Sequence, residues 1–109
     1  MAYDEHSADR IRRILGAKHP LDERVMFGGI VFMVRGHMTV GLRNSLLMVR
    51  VGKELHDESL AQPHTSVMKH GEKEKEGFIT VDADGYQTDA DLKAWIERSL
   101  IYNATLKAK

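Results

Sequence analysis

The chain has 109 residues and a mass of 12.4 kDa, the size of one domain able to bury a hydrophobic core without a metal or crosslink to hold it. It has no cysteine, which excludes disulfides, thiolate nucleophiles and thiolate metal sites. Lysine plus arginine equals aspartate plus glutamate at 16 each, so no global field gathers a polyanion such as DNA.

Residues 1–109 are therefore read as a single domain. The first 13 residues carry Asp4, Glu5, Asp9, Arg10, Arg12 and Arg13 and are too charged for a secretory signal. Arg35, Arg43 and Arg50 interrupt the most hydrophobic third long before it reaches the roughly 18 apolar residues of a membrane span. The expectation is a cytoplasmic protein with no membrane role.

Ala8, Ile11, Ile14 and Leu15 recur at helical spacing, with Arg10, Arg12 and Arg13 on the rest of the circumference; this predicts an amphipathic opening helix. Gly16 and then Pro20 end it. Three β-rich runs follow, residues 30–35, 38–43 and 46–51, with two-residue turns near Arg35-Gly36-His37 and at Asn44-Ser45. Gly52 breaks the third run, and residues 53–61 have the look of a short helix that brings Leu55 and Leu60 to its contact edge and ends before Pro63. Two more strands are expected at 66–70 and 78–82, joined by a charged loop over 71–77 that should be mobile. Asp84-Gly85 marks a turn. Thr88 then caps a helix with Asp91 three positions on, a weak capping box, and Leu92, Trp95, Ile96, Ser99, Leu100 and Leu106 keep its period. The order α-βββ-α-ββ-α implies an α+β fold of two layers, an antiparallel sheet with helices on one face.

Two-residue turns between the three central strands impose a register. Odd positions of the first then share a face with even positions of the second and odd positions of the third. One face becomes Val31, Met33, Met38, Val40, Leu42, Leu47, Val49 and Val51, wholly apolar and suited to a helix-covered core. The other carries Ile30, Phe32, Val34, Arg43, Leu46, Met48 and Arg50. That second face is more apolar than solvent favours and is expected to be covered by a protein partner, by a second copy of the chain, or by the chain's own N-terminal arm and loops.

The residues Arg24-Val-Met-Phe-Gly-Gly29, the hairpin after them, Val49-Arg-Val-Gly52, Gln62-Pro-His64, Gly77-Phe-Ile-Thr-Val-Asp82 and Trp95-Ile-Glu-Arg98 together resemble the N-terminal domain of the TfoX family, named for a bacterial regulator of DNA-uptake competence. The resemblance runs from about Ile11 to Leu106. It implies a two-layer α+β domain with a regulatory or binding role and no enzymatic one. Many members carry Arg-Pro-Met shortly before the fifth strand, where this chain reads Glu74-Lys75-Glu76; the full regulators add a C-terminal domain, whereas this chain ends at Lys109.

Other constellations read as structural. Gly28-Gly29 lacks the spacing or the lysine of a phosphate loop and precedes a strand; it suits a tight turn with Phe27 as core anchor, although a pocket near Met26-Phe27-Gly28-Gly29 for a small-molecule ligand or substrate is the alternative. His37, His56, His64 and His70, with Glu54 and Asp57, lack ligand spacing, and Ser66 near His64 and His70 lacks a nucleophile elbow. Arg10, Arg12 and Arg13 form a basic helix surface that suits DNA phosphates, or is simply solvated. No catalytic residue, cofactor or metal is assigned, and the reading is a non-catalytic regulatory or protein-interaction domain.

Overall fold

Helix α1 opens where the sequence can satisfy its free amides. Asp4 is the N-cap and its carboxylate accepts from Ser7 N at 3.2 Å. The helix spans Glu5–Gly16 and turns Ala8, Ile11 and Leu15 into the core. The computed structural model describes residues 3–109; the first two residues of the expected domain lie outside them.

After α1 come β1 (Asp22–Met26), β2 (Gly29–Val34), β3 (His37–Arg43), β4 (Leu46–Arg50), α2 (His56–Leu60), β5 (Thr65–His70), β6 (Lys73–Val81), a 3-10 turn (Ala83–Tyr86) and α3 (Asp89–Asn103). The strands form one sheet in the order β1-β2-β3-β4-β6-β5, every neighbouring pair antiparallel. The α+β class and the expected order hold, with β1 added ahead of the three central strands. Residues 71–77 are not a loop: β6 begins at Lys73 and pairs Lys73 and Glu74 with His70 and Lys69. Alternating Lys and Glu is also a strand pattern when both faces of an outer hairpin meet water. No helix among the described residues is long and apolar enough to cross a membrane.

The decisive local feature is a bulge in β3. Val34 faces His37 and Met33 faces Met38, as a two-residue turn at Arg35-Gly36 requires, but the next pair is Phe32 with Val40. Thr39 is the extra residue. Its hydroxyl donates to Phe32 O at 2.9 Å, and its own carbonyl accepts from Ser99 Oγ at 3.0 Å, so side chains pair both carbonyls where the ladder is interrupted. Beyond it the alternation of β3 is reversed relative to β2. Ile30, Phe32 and Val34 therefore join Val40, Leu42, Leu47, Val49 and Val51 beneath α1 and α3. Val31 and Met38 join Met48 and Met68 on the opposite face, with Phe27, Met33 and Phe78 packed against them.

The sheet curls over that second cluster. Phe27, in the β1–β2 turn, meets His70, at the end of β5, edge to face with ring centroids 5.8 Å apart. Four strand spacings separate β2 from β5, about 19 Å if the sheet were flat, so the contact requires strong coiling. Thioethers suit the resulting irregular space.

The far end of α3 is tied to the β2–β3 turn. Asn103 Nδ2 donates to Val34 O at 3.0 Å, Arg35 Nη1 donates to Asn103 O at 2.6 Å, and Lys109 N donates to Arg35 O at 3.0 Å.

Candidate functional site

The expected interaction face divides between two sides of the sheet. Ile30, Phe32 and Val34 are buried in the helix-covered core, and the bulge at Thr39 is the reason. Arg43, Leu46, Met48 and Arg50 do lie on the opposite side, but Met48 is fully buried in the methionine cluster. Arg50 is occupied by two aromatic rings, its guanidinium carbon 5.3 Å from the centroids of both Phe78 and Tyr102. The seven residues make no continuous accessible surface.

The three arginines of α1 are engaged rather than displayed. Arg10 is buried; its Nη2 donates to Tyr86 O at 2.7 Å and Gln87 O at 3.2 Å, and its Nε pairs with Asp89 at 3.2 Å. Arg12 makes a forked pair with Glu23, at 2.8 and 2.9 Å, and also meets Asp9. Arg13 pairs with Asp89 at 2.9 Å. These contacts tie α1 to the start of α3 and to β1, and they spend the charges that phosphate binding would use.

Replacing Arg10 with methionine keeps the packing and strands two carbonyls. The expected loss is about 1–3 kcal/mol in chemical denaturation; a change inside the about 0.5 kcal/mol of an ordinary surface substitution would refute the assignment. Arg10, and after it Arg13, holds the Asp89 carboxyl below its ordinary value. A depressed carboxyl stabilises the fold above the unfolded value of about 3.9 and loses that contribution as pH falls through the folded value. The stability gap between the native chain and Asp89→Asn is thus expected to be constant near neutrality and to close in acid.

The histidines stay apart. His56 Nδ1 accepts from Gly77 N at 3.1 Å, and His37 Nε2 lies 2.6 Å from Lys107 O. His64 instead comes near Asp82 and Asp84, all three exposed. That grouping has a structural cause, since Asp82 caps the 3-10 turn by accepting from Asp84 N at 3.1 Å. Among the described residues Ser66 makes no side-chain hydrogen bond with His64 or His70.

Two features stand open. The first is the Met26–Gly29 element. Phe27 and Gly28 form the two-residue turn with φ of 55° and 74°, as type I′ hairpins demand. Gly29 lies where the strands approach closest: a Cβ there would sit 1.8 Å from Leu42 O. Beside this turn is an open cleft of about 530 Å³, walled by Met26, Phe27 and Gly28 on one side and Met68, Lys69 and His70 on the other, with Arg43 reaching in from β3. The second is the outer edge of β1. Every residue of β1 is exposed. Three of the four exposed large apolar side chains among the described residues lie on this strand or next to it: Leu21 (37%), Val25 (84%) and Met26 (40%), the fourth being Ile101. Three of the five residues of β1 are charged, a pattern common on edge strands that hides the strand in the sequence.

Together these features define a mixed α+β domain in which helices cover one side of a coiled antiparallel sheet, while a strand edge and a cationic cleft remain accessible. The chain belongs to the TfoX N-terminal domain family, whose profile matches residues 13–101; at the level of the family this is a regulatory, competence-related domain. Comparison with curated proteins finds no match.

Proposed function

We propose that this is a non-catalytic regulatory domain that works by protein contact, connected to competence or transcriptional control, and that its contact edge is β1. The observation carrying this reading is the clustering of Leu21, Val25 and Met26 along a strand whose outer backbone groups face solvent. Such an edge accepts another strand through main-chain hydrogen bonds, with alternate side chains supplying the apolar contact.

The occupant we assign is a second copy of the chain. The formal net charge is zero, so no long-range repulsion keeps copies apart. Asp22, Glu23 and Arg24 also give the edge both signs of charge. Sedimentation across a concentration series tests this, with Val25→Lys as the comparison. The native chain should dimerise, and the variant should remain monomeric with the melting temperature of the dilute, monomeric native chain, because Val25 contributes almost nothing to the core. A native chain that stays monomeric throughout, or a variant that dimerises equally well, refutes the β1 assignment.

A further inference from the structure

The cleft beside the Phe27-Gly28 turn is a place where positive charge has been left without a partner. Of the eight arginines, Arg10, Arg12, Arg13, Arg24 and Arg98 sit in ion pairs, Arg35 donates to a carbonyl and Arg50 is stacked between rings. Arg43 alone, among the described residues, has no ion pair, no side-chain hydrogen bond and no ring. It is half-buried nonetheless, and its Cδ lies 3.4 Å from where a Cβ on Gly28 would be. Lys69 and His70 face it across the cleft, and no carboxylate lines the space. Lys75 adds to the local field, its ammonium 4.6 Å from the Phe78 ring centroid and 5.9 Å from that of Phe27. In a chain with as many acids as bases, a concave surface whose two charged lining residues, Arg43 and Lys69, are both positive is suited to an anion.

The rest of the lining is apolar. Met26 and Met68 flank the cationic groups, and the edge of Phe27 closes one end. A volume of about 530 Å³ falls within the roughly 300–1,000 Å³ of small-molecule sites, which combine an apolar lining with a few convergent polar groups. Gly28, at positive φ and without a side chain, leaves the turn backbone open to close approach.

We propose that this cleft binds a small organic anion, with its phosphate or carboxylate held by Arg43, Lys69 and His70 and its apolar body lying against Met26, Met68 and Phe27. The site is built by coiling of the sheet, which brings the turns at its two edges together. It stands independently of dimerisation through β1, and binding to the Val25→Lys variant keeps the two readings separate.

The test is an NMR titration of the labelled chain with 1-naphthyl phosphate, 1-naphthoate and the neutral 1-naphthol. Amide shifts should concentrate at residues 26–29, 43 and 68–71, and an anion should bind about tenfold or more tightly than the naphthol, the gain of one charge-assisted contact. Arg43→Gln should weaken the anion by about tenfold without lowering the melting temperature, since Arg43 supports no other group; Arg24→Gln should change nothing. The exposed Lys69→Gln gives the same reading should Arg43→Gln fold poorly. A preference for the phosphate over the naphthoate identifies a phosphate ester, and the reverse identifies a carboxylate. Equal affinity for anion and naphthol, shifts centred elsewhere, no saturation at millimolar probe, or full affinity in both Arg43→Gln and Lys69→Gln overturns the proposal.

Discussion

Phe32→Ala is expected to cost about 3–5 kcal/mol in urea denaturation, and Phe32→Glu to yield no folded protein. The ring is fully buried beneath the helices with Val40 opposite it, and the Arg12 guanidinium covers it at 6.0 Å from the centroid. Truncation there loses the transfer free energy of the ring and leaves a cavity that a closely packed core cannot collapse. A carboxylate in the same place meets no free donor, since the Arg12 guanidinium is committed to Glu23 and Asp9, and burying an unpaired charge exceeds what a small domain's stability can absorb. The outcome that would disprove this placement is a folded, dimeric Phe32→Glu chain, because only a solvent-facing Phe32 tolerates the charge.

Gly29→Ala is expected to be comparably severe, about 3 kcal/mol or more. The added methyl would overlap Leu42 O at 1.8 Å and approach Leu42 C at 2.8 Å and Arg43 Cα at 3.0 Å. These are backbone atoms, so relief requires β2 and β3 to part rather than a side chain to rotate. Gly71→Ala is the control. It carries a positive-φ penalty that Gly29 does not, with φ of 68°, but nothing lies within 4 Å of the new methyl, so it should lose only about 1–2 kcal/mol of backbone strain. Thermal denaturation of both variants decides the matter, and a loss for Gly29→Ala no larger than that for Gly71→Ala would show that close approach of the strands does not explain Gly29.

The parts of the fold that were legible in the sequence are those governed by local chemistry. Ala8, Ile11 and Leu15 face the core as their period required. Thr88 accepts from Asp91 N at 3.1 Å, the expected cap, and Arg35-Gly36 and Asn44-Ser45 turn where they should. The Met-Phe-Gly-Gly element led to the family. What escaped was set by distant partners. Thr39 has no sequence mark of a bulge, because the reason for it is a donor on α3, Ser99, 60 residues away. That single residue sent Phe32 to the side opposite the one expected. The alternating charges of the Lys73–Glu76 stretch suit a loop and a strand equally, and only pairing with β5 distinguishes them. The cleft was anticipated on one wall only, at Met26-Gly29. Its other wall, Met68 to His70, belongs to the far edge of the sheet, and no local pattern announces sheet coiling.

The tie between α3 and the β2–β3 turn has a consequence for biosynthesis. Strands β2, β3 and β4 leave the ribosome well before residues 89–103, and the helix that shields them, together with the Asn103 amide that latches onto Val34, is made after every strand of the sheet. Until then a greasy sheet surface stands bare, with β1 offering a free border beside it. The nascent domain therefore closes only when α3 arrives, and the interval before that closure is when its bare sheet is most exposed to aggregation.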